Sequence, residues 1–122
     1  MRMDLVRENE VYSIGAAYWA ESLDLAEAFG WRPAGTLHPL VQWSAGREWD
    51  GNYWANDWQR VTDEDAHQLG VALYKAVAAI ETAVEMTVTQ KGALARLGLG
   101  LSTAESLKRI ADFVSRGGFG IG

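Results

Sequence analysis

The sequence predicts a mainly α-helical fold with a minor β element, built as a single domain over residues 1–122. Three observations predict it. Residues 66–84 carry one apolar stripe at helical spacing, namely Ala66, Leu69, Leu73, Ala76, Val77, Ile80 and Val84. Two further stretches, about 15–29 and 103–116, show the same period between start and stop signals. The segment between the first two stretches is punctuated by Gly30, Pro33, Gly35, Pro39, Gly46 and Gly51, as loops are.

Each element has its own justification. Val11-Tyr12-Ser13-Ile14, ahead of the first helix, is expected as a short strand. In the first helix, 15–29, Ala16, Trp19, Leu23 and Ala26 recur on one face, widened by Tyr18, Leu25 and Phe29. Glu21, Asp24 and Glu27 take its wet side. Ser13 is placed to cap its start, Gly30 to end it, and Pro33 to prevent resumption. Within 30–60, Asp50-Gly51 is a type I′ hairpin signal, because that turn needs positive φ at both central residues. The second helix spans 63–85. Thr62 and Asp65 resemble a capping box, and Asp63, Glu64 and Asp65 suit the positive end of the helix dipole. Gly70 interrupts it at up to about 1 kcal/mol against alanine, which suggests the close approach of another backbone.

Residues 86–101 mix an extended signal, Thr87-Val88-Thr89, with a helical one, Ala93 to Leu97, and predict a short fourth helix between loops. The last helix, 103–116, starts at a Ser102/Glu105 capping box and buries Ala104, Leu107, Ile110, Ala111 and Val114. Lys108, Arg109 and Arg116 suit its negative end, and Gly117-Gly118 stops it. Phe119 and Ile121 then alternate with glycine like a very short strand, expected to pair with residues 11–14.

Composition excludes several classes of function. The chain has 122 residues, 48% of them hydrophobic, with no cysteine and a formal charge of −5. Such a chain buries a core, and it can form neither a disulfide scaffold nor a thiolate site. Its acidity argues against nucleic acid, which needs clustered bases. The charge is uneven. Residues 1–65 hold 12 acids and 5 bases, a net of −7, whereas residues 66–122 hold 4 acids and 6 bases, a net of +2. No targeting or membrane-spanning segment is expected, and the cytoplasm is the expected compartment.

Tests for catalytic motifs are negative. His38 and His67 stand apart, and no metal site is expected from them. Ser44 has Gly46 after it but Gln42 before it, which breaks the nucleophile-elbow pattern. Lys91-Gly92 reverses the phosphate-loop order, and Gly98-x-Gly100 lacks the third glycine of a dinucleotide fingerprint. Asp50, Asn52 and Asn56 are spaced like calcium ligands, but Ala55 and Val61 occupy the positions of the obligatory glycine and glutamate. No cofactor is expected. Asp50 and Asp57 could form an acid–base pair, although aspartates in glycine-containing loops commonly serve turns.

One feature asks for more than packing. Trp43, Trp49, Trp54 and Trp58 fall within sixteen residues. Aromatic faces beside amides and carboxylates hold sugars, bases or peptides, and Trp and Tyr anchor protein interfaces. The candidate binding residues are therefore Trp49, Asp50, Asn52, Tyr53, Trp54, Asn56, Asp57 and Gln59. The competing reading is that these rings close the open end of a small core.

Three segments carry a resemblance: Gly30-Trp31-Arg32-Pro33-Ala34-Gly35-Thr36; Trp49-Asp50-Gly51-Asn52-Tyr53, running on through Asn56-Asp57-Trp58-Gln59-Arg60-Val61-Thr62 to Asp65-Ala66; and Phe113 to Ile121. They resemble a loose family of small uncharacterised bacterial and phage proteins, and they cover roughly half the chain. In that family a glycine is common where this chain has Trp58. The resemblance implies a shared fold and no particular reaction.

The functional expectation is a non-enzymatic protein-binding module that uses the tryptophan-rich loop 43–60, with a protein partner or a homo-oligomer and neither nucleic acid nor membrane. One alternative is a small-molecule or carbohydrate site in the same loop, catalytic through Asp50 or Asp57. Another is a structural homodimer without a ligand site. A concave pocket would favour a ligand, and a flat aromatic patch would favour an interface.

Overall fold

The computed structural model describes residues 2–39, 49–82, 85–98 and 101–122. It is a mixed α+β fold, 51% helical and 18% strand, roughly as expected of a mainly helical chain with a minor strand element. The strand element is a four-stranded antiparallel sheet, of which only fragments are legible in the sequence. Strands β1 (Arg2–Arg7) and β2 (Glu10–Gly15) form a hairpin in register from Arg2↔Gly15 to Arg7↔Glu10. Glu8 takes φ 51 in the two-residue turn, a conformation that glycine or asparagine would have advertised. Met3, Leu5 and Ile14 face the core, and Arg2 and Ser13 face water.

The tail strand β4 (Phe119–Ile121) lies between β1 and β3 (Gln59–Val61), giving the order β2-β1-β4-β3. The tail therefore pairs with β1, at Leu5↔Ile121 and Val6↔Gly120, and not with residues 11–14 as expected. The short turn zips β2 onto one edge of β1 at low loop-closure entropy, which leaves only the other edge for the tail. The type I′ hairpin at Asp50-Gly51 is also absent. Only Gly51 has positive φ (74°), and Leu37, not a neighbour in the loop, bridges to Arg60.

The helices lie on one face of the sheet. Helix α1 spans Ala16–Ala28, with Gly15 as its N-cap and no side-chain cap. Ser13 is in β2 instead, donating to Asp4 at 2.7 Å. Gly30 ends the helix in the left-handed region, φ 105. Helix α2 spans Asp63–Thr82 and buries Ala66, Leu69, Leu73, Ala76 and Val77 as its stripe predicts; Val84 lies outside the described residues. Helix α3, Val88–Ala95, is the short fourth helix. Thr87 does not extend a strand but caps α3, in a capping box with Gln90.

Helix α4 spans Leu101–Ser115, so Ser102 sits inside its first turn and is not its cap. Ala104, Leu107, Ile110, Ala111 and Val114 are buried as predicted. Of the bases expected at its end, Arg116 alone reaches a carbonyl there, that of Asp112 at 3.1 Å. Helices α2 and α4 cross where Gly70 meets Ser115. A Cβ at Gly70 would lie 2.8 Å from the Cβ of Ser115, which is the close approach that Gly70 suggests. No helix among the described residues is long and apolar enough to cross a membrane.

Candidate functional site

The site begins with a carboxylate. Asp65 is in the first turn of α2, four residues before Leu69 and so on the same buried face. Its N–H donates to the Thr62 hydroxyl at 3.2 Å, which is half of a capping box. Its side chain, 4% exposed, does not complete the box. It turns to the loop instead. Oδ1 accepts from the Trp31 indole N–H at 3.0 Å and from the Ala34 N–H at 3.3 Å, and Oδ2 accepts from the Tyr53 hydroxyl at 2.5 Å. The Tyr53 oxygen in turn accepts from the Gly35 N–H at 2.8 Å. One carboxylate and one phenol thus tie residues 31–35 and residue 53 to the helix.

Packing reinforces this tie. The Trp31 and Tyr53 rings meet edge to face at 5.1 Å, and the buried Trp19 indole donates to the Tyr53 carbonyl at 2.7 Å. Burial, followed by the hydrogen bond to Asp65 and its negative charge, pushes the Tyr53 phenol well above its ordinary value; the Gly35 N–H opposes them weakly. Tyr53 is a neutral donor throughout the physiological range.

The rest of the loop is folded by its own polar side chains. Gly35 and Gly51 stand back to back, both at positive φ, and a Cβ on Gly51 would be 3.4 Å from Gly35 Cα. The Thr36 N–H donates to the Gly51 carbonyl at 3.0 Å, and the Thr36 hydroxyl to the Asn52 carbonyl at 2.6 Å. Asp50 accepts from the Asn52 N–H at 3.1 Å and Asn52 from the Trp54 N–H at 3.2 Å, both as Asx turns, and Asn52 accepts also from the Ala55 N–H at 2.8 Å. Trp58 takes φ 67, a left-handed conformation natural to glycine, and its ring lies over Gly120 and Gly122.

These constraints leave a cleft of about 380 Å³ between α1 and residues 50–54. Leu23, Trp31, Pro33, Tyr53 and Trp54 give it apolar and aromatic walls, and Asp24, Glu27 and Asp50 give it carboxylates. Trp54 is 65% exposed, whereas Trp31 and Tyr53 are each 4% exposed.

Of the eight residues singled out in the sequence, Asp50, Asn52, Tyr53 and Trp54 line this cleft. Trp49 does not; its indole donates to the carbonyl and hydroxyl of Thr36. Asn56 and Asp57 are exposed elsewhere on the loop. Gln59 is fully buried, donating to the Ala55 carbonyl at 2.5 Å and accepting from the Asp57 N–H at 3.0 Å, so its amide holds the loop and faces no partner. Trp43, Ser44 and Gly46 lie outside the described residues, as does Gly100.

Asp50 lines the cleft and Asp57 does not, so the two do not face one cavity as an acid–base pair. No group of three or more His, Asp or Glu placed to hold a metal occurs among the described residues. Sequence reasoning missed Leu23, Asp24, Glu27, Trp31, Pro33 and Asp65. The signal for Asp65 was available, since an acid four residues before Leu69 falls on the buried stripe.

Comparison of the chain with protein-family models, with curated proteins and with solved structures finds no match.

Proposed function

We propose that this chain is a non-enzymatic binding module acting in the cytoplasm, and that the cleft between α1 and residues 50–54 docks a segment of a partner protein. The observation that carries this reading is Trp54, a large ring two-thirds exposed at the rim of a cleft whose other rings are held from behind. A pre-formed aromatic anchor loses little conformational entropy when it binds. The turn hydrogen bonds of Asp50 and Asn52 support the same reading, because they fix the loop that carries Trp54.

A small-molecule ligand is the second reading. It is favoured by the concave shape of the site, the expected mark of a ligand pocket, and by a cavity volume at the lower end of the range for such sites, about 300–1,000 Å³. Docking is preferred to it because Trp54 stands largely exposed beside the cleft.

The test is affinity capture from cell extract with wild type and with Trp54→Ala, each first shown by circular dichroism to be folded, followed by reconstitution with the purified candidate. A protein that binds wild type directly and loses at least tenfold in affinity with Trp54→Ala supports docking. Equal binding by both baits, or none, sinks it. A thermal-shift screen with metabolites then tests the second reading.

A further inference from the structure

We infer that the guest of this cleft is a basic side chain, a lysine ammonium or arginine guanidinium presented by the partner polypeptide; the inference rests on the reading of the cleft as a docking site. Charge is the first argument. Asp24 and Glu27 stand one turn apart on α1, and Asp50 lines the cleft from the loop. No lysine or arginine lines the cleft among the described residues. Asp24 is met at 3.9 Å by Arg96, but no cation lies within ion-pair distance of Glu27 or Asp50 among the described residues. An anionic guest would be repelled, and a neutral one would desolvate carboxylates without returning a partner to them.

The aromatic walls are the second argument. Trp54, 65% exposed, offers a ring surface whose quadrupole attracts cations, most strongly where water is displaced, and the buried Trp31 and Tyr53 rings line the cleft beside it. Trp31 and Tyr53 are already oriented through Asp65, which receives the Trp31 N–H and the Tyr53 O–H and does not itself line the cleft. An alkyl stem can lie along Leu23 and Pro33 while its charged head meets the carboxylates. The chain's net charge of −5 also favours the approach of a basic segment over an acidic one.

The test is a titration of the ¹⁵N-labelled protein, read from the indole N–H signals of Trp31 and Trp54, with the amides of α4 as reference. The probes are methylguanidinium and n-butylammonium, set against n-butanol and butyrate at constant ionic strength. The two cations are expected to shift the indole signals saturably and the other probes to leave them in place. In Glu27→Gln/Asp50→Asn, the dissociation constant of the cations is expected to rise at least fivefold. Binding of n-butanol as tight as that of n-butylammonium overturns the inference, as do cation shifts unchanged in the double variant.

The docking reading fails separately. A partner lost with Trp54→Ala but bound equally well by Glu27→Gln/Asp50→Asn sinks the basic guest and leaves docking intact. The absence of any Trp54-dependent partner sinks docking itself.

Discussion

Tyr53 and Asp65, twelve residues apart in the chain, share a 2.5 Å hydrogen bond in the protein interior. The pair joins the tryptophan-rich loop to the start of α2, and it sets the rear wall of the cleft. Removing the phenol oxygen in Tyr53→Phe leaves Asp65 Oδ2 without this donor and the Gly35 N–H without its acceptor. Unsatisfied buried groups cost about 1–3 kcal/mol each, so we expect Tyr53→Phe to lose stability of that order, read as a lower urea midpoint at an unchanged m value. Asp65→Asn damages the same bond from the other side. The two substitutions together should show a coupling of about 0.5–3 kcal/mol in a double-mutant cycle, and strict additivity would mean that the bond carries no weight.

The same pair sets a pH dependence at the alkaline end. The Tyr53 phenol is raised in the folded state, first by burial and then by Asp65. A group whose folded pKa lies above its unfolded value contributes stability that is fully present below the unfolded value, about 10 for tyrosine. That contribution is lost as the pH climbs from there toward the folded value. We therefore expect thermal stability to fall above about pH 10, with part of the tyrosinate absorbance appearing only as the chain unfolds. Tyr53→Phe should have the shallower decline, and a decline equally steep in both proteins would assign it to other groups.

The helices were legible because their apolar period is local, as the buried faces of α2 and α4 illustrate. The sheet was less so. Arg2, Asp4 and Arg7 obscure an alternation in which only Met3 and Leu5 are fully buried, and the Glu8 turn lacks a glycine. The partner of β4 is set by which edge of β1 stays free, and no local pattern encodes that. In the site, an exposed tryptophan could be expected because the loop holds more rings than a small core uses, but no local pattern singles out Trp54. The acids of α1 could not be assigned, since Asp24 and Glu27 look like any solvated helix face until the loop folds against them. Asp65 was hidden by its resemblance to a capping residue.

Arg7 is another contact that only the fold reveals. Its guanidinium donates to the carbonyls of Phe113, Gly117 at 2.8 Å and Gly118 at 3.2 Å, and it lies 4.3 Å above the Phe113 ring. It therefore closes the C-terminal end of α4 from a strand more than a hundred residues away. A lysine has one donor group and no planar fork, so it cannot meet the same three carbonyls. We expect Arg7→Lys to cost at least about 1.5 kcal/mol in chemical denaturation, because hydrogen bonds from charged donors are being lost. The loss should persist in 1 M salt, where Debye lengths of about 3 Å remove long-range charge effects. A variant as stable as wild type would show that the Arg7 network is incidental.

Gly70 provides the sharpest test of packing, because helix propensity and geometry predict opposite signs. In an open helix, glycine to alanine stabilises by about 1 kcal/mol. Here the added Cβ would sit 2.8 Å from Ser115 Cβ and 3.1 Å from Ser115 Cα, so the neighbour that must yield includes backbone. Forcing extra carbon into a packed contact costs about 1–3 kcal/mol, so we expect Gly70→Ala to be destabilising. Ser115→Gly in the same chain removes the nearest of those atoms, and the pair should regain part of the loss measured for Gly70→Ala. Ser115→Ala, which keeps the Cβ, should not rescue it. Thermal melts of the four proteins decide the matter: if Gly70→Ala raises the melting temperature, the close approach of α2 to α4 at this crossing is wrong.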